Sequence, residues 1–258
     1  MKSLEESVTI AMDGTDAELF PYLPYILQDL WEIGAVPELI IEAVEKHQSD
    51  YSNLNILDLG CGKGAVSIKM AKELQCQCFG IDGLSEFIKI ADEKAKEWQV
   101  NHLCKFECND IRIRINELKK YDVILLGSIG PVFGNYYQTM SILKDHLTEV
   151  GIIILDDGYV PENSNFKHPQ IGNKSQLIKQ LENAGVVLVD ELIIDNETIE
   201  SSDEIIFEQL SQRCHELMHK YPDKKSIFEK YIKEQEEENN VLENELICST
   251  MVLKKYEE

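Results

Sequence analysis

The sequence contains no apolar run long enough to cross a bilayer. Runs such as Val123–Leu126 and Ile152–Leu155 fall far short of the roughly 20 residues a spanning helix needs. Its start, Met1-Lys2-Ser3-Leu4-Glu5-Glu6, carries acids where a signal peptide would be apolar. Both features predict a cytoplasmic protein with no membrane partner. Positive charge is also scarce. Lys and Arg number 25 against 47 Asp and Glu, a net charge of -22 over 258 residues. Nucleic-acid affinity rests on cationic contacts that release counterions, so such a surface disfavours a nucleic-acid partner. The best basic stretch, Arg112 to Lys120, is short and broken by Asn116 and Glu117. The seven cysteines are an odd number and sit within apolar runs, which argues against a disulfide framework. What remains, 43% hydrophobic and 28% charged, is ordinary for a folded domain that can bury a large core unaided.

Residues 1–16 are polar and mixed, and read as a mobile start. From Asp16 to about His47 apolar residues recur at three- and four-residue steps, which predicts helix, with a second helix opening at Pro37. After Asn53 short apolar runs alternate with amphipathic stretches. Strands are expected at 56–59, 76–81, 104–108, 121–126, 152–155 and 186–194. Helices are expected at 65–74, 86–98, 137–147 and 175–183. That alternation predicts a doubly wound α/β fold, a mostly parallel sheet with helices on both faces. From Asp195 to Glu245 the chain is helical and charged, with apolar stripes at Ile206, Leu210, Cys214, Leu217 and Met218, and at Ile227, Phe228, Tyr231 and Ile232. The run Glu234–Asn240 reads as a solvated helix face or a loop. A seventh strand, Ile247–Leu253, follows, and its late return allows antiparallel insertion. Four units are therefore expected: a helical cap over 1–52, an α/β domain over 53–194, a helical lid over 195–245, and a closing strand over 246–258.

The sharpest motif is Asp58-Leu59-Gly60-Cys61-Gly62-Lys63-Gly64, between a predicted strand and a predicted helix. Glycines there permit a tight turn and the close approach of a ligand. Asp82, at the end of the next strand, can accept both hydroxyls of a ribose. Gly60-x-Gly62-x-x-Ala65 also satisfies a dinucleotide fingerprint, so the glycines alone leave a nicotinamide oxidoreductase open. Three features favour another ligand. Asp58 would repel a pyrophosphate but suits an ammonium group. Asn109-Asp110, after the third strand, can read an adenine amino group. The late seventh strand completes the pattern.

With these residues in register, Asn53–Gly158 resembles the class I S-adenosylmethionine-dependent methyltransferases, in their small-molecule branch. The resemblance implies S-adenosyl-L-methionine as cofactor. Asp58 and the turn Gly60, Cys61, Gly62, Lys63 and Gly64 would hold its methionine end. Asp82 with Gly83 would hold the ribose, Asn109, Asp110 and Ile111 would frame the adenine, and Gly127 and Ser128 would pass under the sulfonium. Thr148-Glu149-Val150-Gly151 departs from the proline–glycine pair the family often has before the fifth strand.

Methyl transfer from a sulfonium is a direct displacement, so a catalytic triad is not required. Gly127-Ser128-Ile129-Gly130-Pro131 lacks the polar residue, two prolines and aromatic of enzymes that methylate bases and glutamine. The expected partner is therefore a small-molecule acceptor. Asp156-Asp157 closes the fifth strand, where ligands bind in open α/β sheets. Asp157 is the candidate for orienting the acceptor or taking its proton. Tyr22, Trp31, Phe133, Tyr136, Asp156 and Tyr159 are candidates to line the acceptor cavity. Cys76, Cys78, Cys104 and Cys108 match no zinc spacing, and no metal is expected. His146 and His168 read as surface residues. A cofactor-binding scaffold whose acidic helices recruit a protein is the alternative outside enzymes.

Overall fold

The computed structural model describes residues 2–256. Seven strands form one sheet in the order β3-β2-β1-β4-β5-β7-β6. They are β1 (Asn55–Leu59), β2 (Gln77–Asp82), β3 (Cys104–Cys108), β4 (Tyr121–Gly127), β5 (Leu147–Tyr159), β6 (Val186–Ile193) and β7 (Ile247–Lys255). The first five pair in parallel, and β7 runs antiparallel between β5 and β6. The expected doubly wound sheet with an antiparallel last strand is therefore present.

Strand alternation decides which side chain goes to which face. Ile56, Val123, Leu125, Ile152 and Ile154 lie on one side, under α3 (Pro37–His47), α4 (Ala65–Leu74) and α5 (Ser85–Glu97). Leu57, Leu59, Ile124, Leu126, Ile153 and Leu155 lie on the other, under α7 (Tyr136–Leu143) and α8 (Lys174–Ala184). Asn135 with Gln138, and Asn173 with Gln176, form capping boxes that start α7 and α8. Gly185, at φ +82°, stops α8 in the left-handed conformation that glycine adopts freely.

Several expectations need correction. Residues 1–16 are not unstructured: α1 (Leu4–Ala11) begins at Ser3, whose hydroxyl accepts from the Glu6 amide while Glu6 caps the Ser3 amide in return. Residues 16–47 are not one long helical stretch. Pro21 and Pro24 shorten it to a 3-10 turn over Ala17–Tyr22 and α2 (Leu23–Ile26), with irregular chain up to Pro37. The short α6 (Ile111–Arg114) has no apolar period long enough to announce it. β5 begins five residues early, because Leu147 pairs with Tyr121 across an irregularity in the ladder. Of the two alternatives for Glu234–Asn240, the helix is the one found: the run lies inside α10 (Lys225–Asn244), which follows α9 (Asn196–Lys220).

The predicted stripes of α9 and α10 meet a single apolar cluster. Leu210, Cys214, Leu217, Phe228 and Tyr231 pack with Leu19, Leu23, Ile26, Leu27 and Leu30 from the first segment. Leu84 and Phe87, just beyond the end of β2, belong to the same cluster. At about 1.5–3 kcal/mol for each large apolar side chain buried, this contact fixes both helical segments over the carboxyl ends of the strands.

Candidate active site

The chain leaves β1 toward β2 on one side, while β4 lies on the other, so their carboxyl ends open a crevice at the switch point. A cavity of about 460 Å³ occupies it. The turn after β1 forms one wall. Gly60 has φ +75°, and a Cβ there would strike Ile129 Cγ2 at 2.5 Å, so only glycine lets the turn and the loop after β4 close together. The amides of Gly60 and Cys61 donate to the Ile81 carbonyl at 2.8 and 3.1 Å, which holds the turn against β2.

Carboxylates set the electrostatics. Asp58 is buried and accepts from the Ser67 hydroxyl at 2.6 Å. Burial, opposed by that bond and reinforced by nearby Asp82, pushes its carboxyl up to about 6. Asp82 accepts from the amides of Gly62 at 2.9 Å and Leu84 at 2.8 Å, and burial still raises its pKa. Asp156 takes bonds from Thr250 Oγ1 at 2.8 Å and Ser128 Oγ at 3.3 Å, and burial lifts it to about 6. Asp157 Oδ2 accepts from the Tyr136 hydroxyl at 3.0 Å and Oδ1 from the Gly158 amide at 2.7 Å. Burial raises Asp157 as well, and the Tyr136 phenol is driven well above its ordinary range. Ser128 stands at φ +53°, its amide bonded to the Asp156 carbonyl at 3.1 Å, so β5 supports the loop that follows β4.

Most of the residues singled out in the sequence border this one cavity: Asp58, Gly60, Cys61, Gly62, Lys63, Asp82, Gly83, Asn109, Asp110, Ile111, Gly127, Ser128, Trp31, Tyr136, Asp156 and Asp157. Four others do not. Gly64 faces Phe106 and Ala91 at the start of α4. Tyr22 packs its ring against Tyr221 and Phe228, at 5.5 and 5.1 Å between centroids. Tyr159 is buried, with the Lys174 ammonium over its ring. Phe133 packs on the sheet face under α7. An aromatic residue near a strand end can serve the core as readily as the cavity, and here packing took these three.

Two lining residues have duties that the sequence did not reveal. Lys63 is almost fully buried, and its ammonium donates to the carbonyls of Leu27 and Leu30. Desolvation lowers it to about 8. The Trp31 indole donates to the Lys63 carbonyl at 3.1 Å, so the glycine turn and the first helical segment are bonded in both directions. Asp110 caps α6 through the Arg112 amide at 2.9 Å and pairs with the Arg112 guanidinium at 2.6 Å, which holds its carboxyl below the usual range. The neighbouring Asn109 amide is engaged too, donating to Glu107 at 3.0 Å and accepting from the Asp110 amide at 2.9 Å. Arg112 also donates to the carbonyls of Lys2 and Ser3, tying the start of α1 to the end of β3.

The helical segments supply the rest of the wall. Asp13, Asp203, Glu238 and His168 border the cavity, and none was a site candidate; His168 was expected at the surface. One signal was available. Phe228, Tyr231, Gln235, Glu238 and Leu242 recur at three- and four-residue steps, placing Glu238 on the inward face of its helix. Among the described residues, no three His, Cys, Asp or Glu side chains converge to hold a metal ion. Cys76 and Cys78 sulfurs lie 3.8 Å apart as free thiols in the core.

The residues present suit an adenosyl sulfonium amino acid. Gly60 leaves room for close approach, and the buried acids Asp58 and Asp82 lie where an ammonium and ribose hydroxyls would relieve them. Residues 50–245 match the family model described as "Methyltransferase domain". The chain is 28% identical over 171 residues to the ubiquinone biosynthesis O-methyltransferase of Rickettsia canadensis, covering 58% of this chain and 69% of that protein. It is 32% identical over 121 residues to the enzyme of the same name from Rickettsia felis, covering 46% of this chain and 47% of that one. The fold is similar to that of a SAM-dependent methyltransferase from Thiobacillus denitrificans in complex with S-adenosyl-L-homocysteine. The TM-score is 0.74 at 15% identity, over 90% of this chain and 97% of the other.

Proposed function

The chain belongs to the methyltransferase-domain family and is an S-adenosylmethionine-dependent methyltransferase of small molecules; from that premise we propose how its residues divide the work. Asp58 and the amides after β1 hold the amino-acid end of the cofactor. Asp82 and Gly83 take the ribose, and the chain from Asn109 to Ile111 flanks the adenine. Because the Asp110 carboxylate is occupied by Arg112, its part is to shape the adenine pocket and to fasten α1 over it. Gly127 and Ser128 underlie the reacting centre. When bound, the cofactor supplies a methyl group on a sulfonium, which the acceptor's lone pair takes while the carbon–sulfur bonding pair stays on sulfur.

The acceptor approaches from the ends of β4 and β5. Asp157 orients it and receives its proton if the nucleophile carries one; a carboxyl raised by burial is a better base than an ordinary surface aspartate. Tyr136 fixes the Asp157 rotamer, and Asp156 keeps Ser128 in its left-handed turn. Residues 2–36 and the insertion 195–245 act as a lid over the α/β unit of 53–194, excluding water from the displacement, whereas α3, expected as part of the cap over 1–52, packs on the sheet face. The relatives' printed names suggest an oxygen nucleophile, which fits a proton-accepting Asp157.

The observation that carries this reading is the placement of Asp157, half-buried at the carboxyl end of β5 and bordering the same cavity as the glycine turn. The test is transfer of labelled methyl to a metabolite panel by wild type and Asp157→Asn, with S-adenosylhomocysteine affinity measured by calorimetry. Turnover should drop at least about tenfold with affinity unchanged. Turnover within about twofold of wild type, roughly 0.4 kcal/mol, would make Asp157 structural.

A further inference from the structure

Cys76, Cys78, Cys104 and Cys108 do not border the cavity, and three of them lie together. Cys78 on β2 and Cys104 on β3 are direct partners in a parallel ladder, so both side chains leave the same face of the sheet. Cys76, just ahead of β2, puts its sulfur 3.8 Å from that of Cys78. Hydrogen bonding to Cys104 and to Cys76, with burial, pushes the Cys78 thiol well above its ordinary range, as three sulfurs in a row would. Among the described residues, no three such groups converge to hold a metal ion. Exposure separates the thiols. Cys76 and Cys78 are buried, whereas Cys104 is half-buried on β3, an edge strand of the sheet. A reagent from solvent therefore meets Cys104 first, with Cys78 behind it. Neighbouring strands run about 4.8 Å apart, and disulfides join Cα atoms about 4.4–6.8 Å apart, so the Cys78–Cys104 pair falls inside the window. Cys76 and Cys78, two residues apart at about 3.3 Å each, stand near its far limit. A disulfide holds its Cβ atoms about 3.8 Å apart, closer than ladder partners normally stand, so a Cys78–Cys104 bond would be strained and easily reduced.

The pair is linked to the glycine turn by two routes. Cys104 Sγ donates to the Ser67 carbonyl at 3.8 Å, and the Ser67 hydroxyl donates to Asp58 at 2.6 Å. β2 also carries the Ile81 carbonyl that holds the Gly60 and Cys61 amides. Gly80, two residues after Cys78, lies so close to Cys61 that a Cβ there would stand 2.7 Å from its sulfur. Drawing β2 and β3 together at Cys78 therefore disturbs both the partner of Asp58 and the strand that backs the turn.

We propose that Cys78 and Cys104 form a reversible redox pair, closed to a disulfide by hydrogen peroxide, and that closure weakens cofactor binding at Asp58 and the glycine turn. The effect on the cofactor rests on the reading of Asp58 above; the thiol pair itself does not. In the first step the Cys104 sulfur takes one peroxide oxygen as the O–O bond breaks, giving a sulfenic acid and one water. In the second the Cys78 sulfur attacks that sulfur: the S–S bond forms, the S–O bond breaks, and the oxygen leaves with the Cys78 proton as a second water. Two thiols and one peroxide thus become one disulfide and two waters. A dithiol reductant returns both thiols by exchange.

The test uses the full chain, first reduced and then treated with hydrogen peroxide. After the remaining thiols are alkylated, peptide mapping by mass spectrometry should find Cys78 joined to Cys104, the joined peptides two hydrogens lighter than their sum. Cys108 faces Asp82 across the same ladder, with no thiol opposite, and should take up oxygen or the alkyl label instead. Calorimetry should show S-adenosylhomocysteine affinity falling about fivefold on oxidation, the worth of about one hydrogen bond, and returning with dithiothreitol. Cys104→Ser and Cys78→Ser, each confirmed as folded by its melting transition, should keep their affinity through peroxide treatment, while Cys76→Ser should still lose it. A wild-type map without the Cys78–Cys104 link would overturn the proposal. So would a link that leaves affinity unchanged, or a loss of affinity that persists in both Cys104→Ser and Cys78→Ser. The wild-type map needs no variant, so a misfolded mutant cannot rescue the idea. If S-adenosylhomocysteine fails to bind even the reduced protein, the active-site reading falls and takes the effect on the cofactor with it; if it binds and no disulfide forms, only this inference falls.

Discussion

Replacing Lys63 by methionine removes a cation from one of the least exposed positions in the chain while keeping its volume. In the wild type its ammonium donates to Leu27 O and Leu30 O and lies 5.2 Å from the Phe87 ring centroid. Two hydrogen bonds from a charged donor contribute about 3–6 kcal/mol in sum. Against this stands desolvation, which lowers the pKa from 10.5 to about 8 and corresponds to roughly 3 kcal/mol at 1.36 per unit. The expected net loss in K63M is about 1–3 kcal/mol at pH 7.5, read by urea denaturation. The sign of the pH dependence follows from linkage. Between about 8 and 10.5 the unfolded chain binds the proton that the folded chain has released, so wild-type stability from this group rises with pH across that window. K63M has no such group, and its deficit should widen toward pH 10. Calorimetry with S-adenosylhomocysteine should show weaker binding, because the Trp31 bond to the Lys63 carbonyl loses its register when the cap shifts. A deficit below about 0.5 kcal/mol that does not widen with pH, together with unchanged affinity, would refute the view that Lys63 joins cap and turn.

Two further outcomes are expected. Asp82→Ala should weaken S-adenosylhomocysteine binding by about 1.5–3 kcal/mol, since it removes the proposed ribose acceptor and also the partner of the Gly62 and Leu84 amides. Asp82→Asn, which keeps one acceptor, should fall between, and calorimetry giving wild-type affinity for both would remove Asp82 from the site. The ligand-free protein should melt higher near pH 5.5 than near pH 8. Burial raises Asp13 to about 7 and Asp58, Asp156 and Asp203 to about 6, so the folded chain keeps protons that the unfolded chain has lost above about 4. Stability then falls as pH climbs through that window. A melting temperature that is flat or rises between the two values would contradict those shifts.

The sheet was legible because its physics is local. Ala65–Leu74 and Cys104–Cys108 were placed to the residue, since a glycine turn opens the first and a short apolar alternation defines the second. Asp58, Gly60 and Asp82 border one cavity, as their places at the ends of the first two strands and in the turn between them led one to expect, because turn geometry constrains those few positions. The cap was harder. Pro21 and Pro24 sit where they break regular helix, and Ser3–Glu6 starts a helix whose apolar face is too short to show a period. Tyr22 and Tyr159 went to packing because an aromatic ring gains as much from a core as from a cavity, and only long-range contacts choose between them. Lys63 was read as a turn residue, since carbonyls more than thirty residues earlier leave no mark on its surroundings in the sequence. Asp13, Asp203 and Glu238 border the cavity only after α9 and α10 fold back over the sheet, and an acid on a charged helix looks like any solvated face.

The place of β7 bears on how the chain is made. β5 and β6 share no ladder; each pairs with β7, which is translated only after α9 and α10. At about 5–20 residues per second, the roughly 60 residues separating the end of β6 from the end of β7 take on the order of 3–12 s. Through that interval the growing chain carries Ile152, Ile153 and Ile154 on an open strand edge, and β6 has no neighbour. The five parallel strands can assemble first, but the sheet stays incomplete until the last ribbon slides in between two elements already synthesised. Truncation or stalling inside α10 would therefore strand an apolar edge able to capture another nascent chain, which makes the helical excursion a period of vulnerability during synthesis as well as a roof over the finished cavity.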